Sequence, residues 1–187
     1  MNIKKLMLFM LLFHVAFCGF SQTDDVSKVA STKVKTNEIR LNMSDLLLLH
    51  TIGATYEYTE HSELGAGLTA RLNLSENNGG IIDEKYSITP FVRYYLIKKQ
   101  DYGSKGFYVE TFLKLFGGNY NNNGWYDTRQ NTYWEIALGI GLGYKYVSSS
   151  GFIVDLNLGL GRSLGVSDWN SSDAIVGRGG VLFGFCF

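Results

Sequence analysis

The chain has 187 residues, with 17 basic and 17 acidic side chains and a formal charge of zero at pH 7. Without an excess of positive charge, we expect no nucleic-acid partner. The length suits a single domain. Tyr occurs 12 times and Gly 22 times, whereas Pro occurs once, and this composition favours many strands over helices.

The first 21 residues are predicted to be a secretory signal peptide. Lys4 and Lys5 precede an apolar stretch from Leu6 to Phe17, and Gly19 and Ser21 supply the small residues that a signal peptidase reads. The stretch is shorter than the roughly 20 residues of a transmembrane helix. Cleavage after Ser21 would remove two lysines and no acid, which changes the formal charge from 0 to −2.

Cysteine usage also bears on the exported chain. Cys18 leaves open an acylated lipoprotein, although Phe17 fits such a site poorly. After cleavage at Ser21 only Cys186 remains, so an intramolecular disulfide is impossible in the mature protein. A fold in an oxidising compartment must then be held together by other means, and a closed ladder of strands would serve.

Residues 22–36 are polar and without period, and they are predicted to be a flexible periplasmic segment. Residues 37–187 divide into eight strand-like segments, an even number as bacterial membrane barrels require. We therefore predict an all-β fold, an eight-stranded antiparallel transmembrane β-barrel. The segments are Glu38–Leu48, Ile52–Thr59, Leu64–Leu74, Ser87–Ile97, Gly106–Gly117, Thr132–Val147, Gly151–Gly161 and Gly177–Phe187.

Large apolar residues alternate with small or polar ones in these segments, so each strand has one apolar face. An apolar outer face with a polar or small inner face is the inverse of what a water-exposed barrel needs. We predict that the apolar rows face lipid. Three of them are Leu64, Ala66, Leu68, Ala70 and Leu72; Trp134, Ile136, Leu138, Ile140, Leu142 and Tyr144; and Phe152, Val154, Leu156, Leu158 and Leu160.

The connections alternate in length. Ser75–Tyr86, Gly118–Asn131 and Arg162–Val176 are long and polar, and shorter ones lie between them. Barrels of this class have long extracellular loops and short periplasmic turns. If both termini are periplasmic, all three long connections are extracellular, and the fourth outer connection, near His50 and Thr51, is a tight hairpin.

The first segment is the least regular. Ile39, Leu41 and Met43 share a face that Asp45 would join, and Leu46–Leu49 is continuously apolar. A β-bulge near Asp45 would restore the alternation. A short helix from Met43 to Leu49 is the competing interpretation, and it would put the strand count in doubt.

The last segment presents a row of phenylalanines. Side chains at alternate positions share a face, so the row needs a core, a partner or lipid against it. We predict that this is the closing strand and that its terminal Phe is an assembly signal, with a buried strand of a soluble barrel as the alternative. The row consists of Phe183, Phe185 and Phe187.

Ionisable residues inside the strands fall almost wholly on the inner face. An unpaired charge in a narrow lumen is costly, so we expect a packed, salt-bridged lumen. Neighbouring pairs are predicted for Arg93 with Glu110, Lys114 with Glu135, and Lys145 with Asp155. A narrow small-solute channel remains the alternative. The inner set is Glu38, Arg40, Glu57, Arg71, Arg93, Glu110, Lys114, Glu135, Lys145, Asp155 and Arg178.

Inward glycines accompany these charges on two neighbouring segments. They alternate within strands and do not precede a helix, which excludes a nucleotide-binding loop. We expect them to make room for Arg and Lys side chains from the opposite wall. They are Gly139, Gly141, Gly143, Gly159 and Gly161.

The long connection after Gly117 sets aromatic residues among amides. Such side chains suit a binding surface or an interfacial aromatic belt. The candidate surface is Tyr120, Trp125, Tyr126 and Arg129.

Catalytic signals are weak. His50 with Ser44 or Asp45 is the one candidate for a lipid-modifying enzyme. No cluster has metal-ligand spacing, and no cofactor is expected.

The signal peptide, the eight alternating strands and terminal Phe187 resemble the small OmpA/OmpX-type outer-membrane barrels. The opening Asn37–Asn42, leading to Tyr56–Tyr58, is also similar to uncharacterised outer-membrane barrel proteins of Bacteroidota. The resemblance implies location in the bacterial outer membrane, with membrane lipid and the barrel assembly machinery as partners. It implies a non-enzymatic structural or adhesive role through the extracellular loops, whose ligand is unknown.

Overall fold

The computed structural model describes residues 36–59, 63–74, 84–96, 105–121, 130–165 and 175–187, with the backbone alone for 119–121 and 130–131. The predicted signal peptide at 1–21 and nearly all of the predicted segment 22–36 lie outside the described residues. Both remain predictions.

Eight antiparallel strands form one closed barrel in sequence order, which confirms the predicted fold class. Each strand pairs with its neighbours along the chain, and β1 also pairs with β8. The strands are β1 (Asn37–Asn42), β2 (Thr51–Thr59), β3 (Leu64–Asn73), β4 (Tyr86–Tyr95), β5 (Gly106–Asn121), β6 (Gln130–Val147), β7 (Phe152–Ser163) and β8 (Ile175–Cys186).

The irregular first segment contains a short helix, α1 (Met43–Leu48). Asn42 ends β1 and caps α1, because its side-chain oxygen accepts a hydrogen bond from the Asp45 amide at 3.2 Å. The predicted bulge and the tight hairpin near His50 and Thr51 are therefore wrong. The helix does not change the strand count, since β1 is complete by Asn42. No helix in the described ranges is long and apolar enough to span a membrane.

The two ends of the barrel differ. The helix end carries α1 and the connections 74–85, 122–129 and 164–174, whereas the turn end carries the connections 60–63, 96–105 and 148–151. The long connections therefore share one end, as the alternation of lengths predicts. At the turn end the Ser148 amide donates to the Phe152 carbonyl at 2.9 Å, which closes the four-residue connection between β6 and β7.

An apolar belt covers the outer wall. Aliphatic side chains occupy its middle, and exposed aromatic side chains lie towards its two ends, the arrangement of the girdles of membrane barrels. The aliphatic group includes Leu68, Ile88, Leu138, Ile140, Leu142, Leu158 and Leu160. The aromatic groups are Tyr58, Tyr94, Phe107, Tyr144, Tyr146, Phe185 and Phe187 at the turn end, and Tyr86 and Trp134 at the helix end, while Tyr56 is exposed beside Leu68 in the middle of the belt.

Candidate functional site in the barrel lumen

The alternation that turns apolar side chains outward turns ionisable ones into the lumen. Seven strands contribute to a buried group that we call the central cluster, and it contains four carboxylates and four cations. Its members are Glu38, Arg40, Glu57, Arg93, Glu110, Lys145, Asp155 and Arg178.

Two guanidinium groups and two carboxylates form the middle of the cluster. Arg40 binds Glu57, and its Nη1 lies 3.0 Å from Asp155 Oδ2. Arg93 Nη1 lies 2.9 Å from Glu57 Oε2 and 2.8 Å from Asp155 Oδ2. Each carboxylate thus contacts both cations, which offsets the cost of removing four charges from water.

Further cations extend the network on both sides. Lys145 Nζ lies 2.8 Å from both carboxylate oxygens of Glu38 and 3.3 Å from Glu57 Oε1. Glu110 bridges two cations, at 2.7 Å from Arg93 Nε and 2.8 Å from Arg178 Nη1.

Aromatic side chains complete the packing around the charges. The Tyr108 hydroxyl donates to Asp155 at 2.6 Å, and the Tyr95 hydroxyl donates to Glu57. The Arg93 guanidinium lies over the Tyr108 ring, with its Cζ 4.2 Å from the centroid, and Lys145 Nζ lies 4.6 Å from the Tyr95 centroid. These rings fill the space that water would need to reach the ion pairs.

A second group of charges, the mouth cluster, lies at the helix end and consists of Asp45, Arg71, Glu84 and Lys114. Arg71 Nε lies 2.9 Å from Asp45 Oδ2, and Lys114 Nζ lies 2.5 Å from Glu84 Oε2. Arg71 Nη1 also approaches Glu84 Oε1 at 3.8 Å. Burial raises the pKa of the Asp45 carboxyl above its usual value, and the neighbouring Arg71 guanidinium counteracts part of that effect.

The three predicted ion pairs have different outcomes. Arg93 and Glu110 lie opposite each other on β4 and β5 and form an ion pair. Lys145 and Asp155 are also opposite each other, on β6 and β7, but each binds cluster members from other strands. Register alone does not identify the partner, because long side chains cross the lumen.

The predicted pair of Lys114 with Glu135 is wrong. The β5–β6 register places Lys114 opposite Ala137 and Glu135 opposite Phe116. Lys114 instead binds Glu84, which lies in the connection between β3 and β4. Glu135 is buried on the inner wall and accepts a hydrogen bond from the Ile136 amide at 3.1 Å.

Sequence reasoning did not assign Tyr95 and Tyr108 to the lumen. Tyr95 lies two residues after Arg93 and Tyr108 lies two residues before Glu110. Each tyrosine therefore shares the inner face of its strand with a charged residue, and this alternation could have revealed both. Glu84 had no such signal, because it precedes β4 within a long polar connection.

Three of the inward glycines lie against aromatic rings. A Cβ on Gly139 would overlap the Phe112 ring, one on Gly143 would overlap Tyr108, and one on Gly159 would lie 3.0 Å from the Phe112 ring, whereas Gly141 and Gly161 lie closest to backbone atoms. Phe112 and Tyr108 belong to β5, which pairs with β6. The expectation that these glycines admit cations from the opposite wall is therefore wrong.

The candidate loop surface is mostly outside the described residues. Tyr120 belongs to β5, where only its backbone is described, and Trp125, Tyr126 and Arg129 fall in the undescribed connection.

The candidate triad residues are engaged elsewhere. The Ser44 hydroxyl donates to Asn42 Oδ1 at 2.7 Å, and Asp45 binds Asn42 and Arg71. His50 is exposed and has a positive φ of 52°. Among the described residues, no group of His, Cys, Asp and Glu could hold a metal ion.

The phenylalanine row lies at the seam between β8 and β1. Phe185 and Phe187 are exposed, and Phe183 is half-buried against the Phe152 ring, 6.1 Å between centroids. The Phe187 amide donates to the Asn37 carbonyl at 2.8 Å, which extends the closing pair of strands by one residue.

The fold has a counterpart among solved structures. The N-terminal β-barrel domain of Pseudomonas aeruginosa OprF matches 82% of this chain and 98% of its own length, with a TM-score of 0.56 and 16% identity. This chain therefore has the fold of the small OmpA-type outer-membrane barrels. No protein-family model matches the chain, and no curated protein matches it significantly.

Proposed function

We propose that the chain is an integral outer-membrane β-barrel protein without enzymatic activity, whose lumen does not conduct. Its role is structural, or it binds an extracellular ligand through the connections at the helix end. Membrane lipid and the barrel assembly machinery are its partners. Membership of the Bacteroidota barrels belongs to the same proposal.

Membrane residence is supported by the apolar belt. Soluble monomers rarely expose continuous apolar surface of more than a few hundred Å2, because water penalises it. Here outward aliphatic and aromatic side chains are exposed on all eight strands. Lipid is the environment in which this surface is stable.

The proposal that the lumen does not conduct depends on one observation, the central cluster. Its ion pairs fill the interior of the barrel. The side chains of Arg40, Glu57, Arg93 and Asp155 have no exposed surface. A barrel of eight strands has an interior wide enough for side chains or one small ligand. An ion could pass only if several mutually bound charges separated together.

The length of β5 and β6 supports a role at the helix end. β5 has 16 residues and β6 has 18, whereas about 9–11 residues cross a membrane. Leu115 on β5 and Trp134 on β6 are exposed, and beyond them the paired strands continue to Asn121 and Gln130. The paired strands therefore extend past the belt towards the connection whose sequence contains Trp125, Tyr126 and Arg129.

Planar-bilayer recording tests the proposal. Purified protein whose gel mobility changes on heating, the behaviour of a closed barrel, should add no conductance steps, while a porin in the same bilayer gives them. Conductance steps from protein with heat-modifiable mobility would contradict this proposal and support the narrow-channel alternative. Loss of heat-modifiable mobility would contradict the closed barrel itself.

The absence of enzymatic activity has a separate test. Mass spectra of lipid A from cells with and without the protein should be identical. A new acylation or deacylation product would contradict the proposal, and its dependence on His50 could then be tested with His50→Ala.

A further inference from the structure

The connection between β1 and β2 exposes a run of leucines. Leu46, Leu47, Leu48 and Leu49 are 42%, 40%, 75% and 42% exposed. We call these four residues the leucine tip. A run of this kind on a surface indicates a binding partner, because water does not favour it.

The leucine tip is held in place from both sides. Asp45 turns inward to Arg71, at 2.9 Å, and also accepts a hydrogen bond from Asn42 Nδ2 at 2.8 Å. After the helix, the His50 carbonyl accepts a hydrogen bond from the Leu74 amide at 3.0 Å. The inward polar anchor and the outward leucines give α1 two chemically different faces.

The leucine tip continues the apolar belt. Exposed apolar side chains flank it where β1 ends, where β2 begins and where β3 ends, and the Leu74 bond joins it to β3. The exposed surface therefore runs from the wall onto α1 without an intervening charge from residue 46 to residue 56. The flanking side chains are Leu41, Ile52, Leu72 and Leu74.

The other three connections at the helix end have a different chemistry. Each contains ionisable residues, which favour water. These are Glu76, Asp83, Glu84 and Lys85 in the first, Asp127 and Arg129 in the second, and Asp168 and Asp173 in the third. The leucine-tip connection, residues 43–50, differs because its Asp45 is buried against Arg71, which leaves His50 as the one exposed ionisable side chain beside the four leucines.

We propose that the leucine tip inserts into the adjacent leaflet of the membrane and contacts lipid acyl chains, as an anchor that sets the depth of the helix end. This rests on the membrane residence proposed above. Interfacial helices bury an apolar face about 5–10 Å into the boundary between headgroups and acyl chains. Four partly exposed leucines fall well short of the roughly 800 Å2 per partner that a stable protein interface buries.

Spin-label accessibility in phosphatidylcholine vesicles tests the proposal. Leu48→Cys receives a nitroxide label in a chain whose Cys18 and Cys186 are replaced by Ala. Leu158→Cys is the reference for the belt, and Ser149→Cys is the reference for water. Oxygen concentrates in acyl chains, whereas a water-soluble nickel chelate does not enter them.

The label at Leu48 should have the same collision frequency with oxygen as the label at Leu158. Its collision frequency with the nickel chelate should be several-fold lower than that of the label at Ser149. High nickel accessibility at Leu48 with a lipid-exposed Leu158 would overturn the anchor and leave the membrane barrel intact. Low accessibility to both reagents at Leu48 would overturn it in favour of a protein partner or a second copy. Nickel accessibility at Leu158 would contradict membrane residence instead.

Heat-modifiable mobility must be retained in every labelled protein. Leu47→Cys provides a second reading if the label at Leu48 prevents folding. A further variant, Leu47→Asp with Leu48→Asp, should shift a label on Ile52→Cys, an outward position at the start of β2, towards higher nickel accessibility. An unchanged Ile52 label would mean that the leucines do not set the depth of this end, and it would overturn the anchor.

Discussion

Lys145 and Glu38 meet across the barrel lumen, with the Lys145 ammonium 2.8 Å from each carboxylate oxygen of Glu38. The two residues lie on β6 and β1, which are not neighbours in the sheet. Neither side chain has more than 1% of its surface exposed. The contact therefore ties two separate parts of the wall together through the interior.

A double-mutant cycle should locate the partner of Lys145. Lys145→Met removes the cation closest to the buried Glu38, whose remaining cation, Arg40, lies at 3.4 Å, and it should destabilise the barrel by about 3–5 kcal/mol. Glu38→Gln should recover part of this loss, with a coupling energy of about 1–3 kcal/mol. Urea unfolding in detergent micelles measures each free energy.

The matched cycle pairs Lys145→Met with Asp155→Asn. Asp155 faces Lys145 in the register but binds Arg40 and Arg93, so its coupling to Lys145 should be the smaller one. Coupling to Asp155 that equals or exceeds coupling to Glu38 would contradict the observed pairing. If the single variants of these cycles keep full stability and produce ion currents, the lumen contains continuous water and the channel alternative is supported.

Gly139→Ala should destabilise the barrel by about 1–3 kcal/mol, because the new methyl group overlaps the buried Phe112 ring. Phe112→Leu in the same chain should restore part of the loss by vacating that space. Gly177→Ala on β8 is the control, since a Cβ there meets nothing within 4 Å. Equal effects of the two glycine substitutions would contradict a steric role for Gly139.

Leu158→Arg should destabilise the protein in vesicles by about 2–4 kcal/mol if the side chain lies near the middle of the bilayer. Leu158 is 66% exposed, so the substitution removes little packing. Ser149→Arg in the turn is the matched control and should have almost no effect. If Leu158→Arg leaves the stability unchanged, the outer wall faces water, and the alternative of a soluble barrel would be supported.

Phe187→Asp should lower the amount of assembled barrel in cells while purified protein still folds in detergent. The side chain is 63% exposed, so the substitution leaves the core unchanged. Phe107→Asp is the control, because Phe107 is 55% exposed at the same end of the barrel. Wild-type levels of folded, surface-exposed Phe187→Asp protein would contradict an assembly signal at this residue.

Local patterns in the sequence are enough to assign the number of strands, their order and the direction of most side chains. Period-two alternation is a local property, so a row such as Leu156, Leu158 and Leu160 can be assigned outward without knowing any partner. Connection length then fixes which strand ends meet. These are the parts of the fold that depend on neighbours in the chain.

Which charges meet and what the glycines face depends on the tertiary structure. Lys145 binds Glu38 and Asp155 binds Arg40, partners far away in the sequence that depend on closure, stagger and rotamers that no local pattern contains. The end of β1 also needed tertiary information. Asn42 could cap a helix or continue a strand, and the turn of Asp45 towards Arg71 favours the helix because it satisfies a carboxylate that a continuous strand would leave on the apolar face.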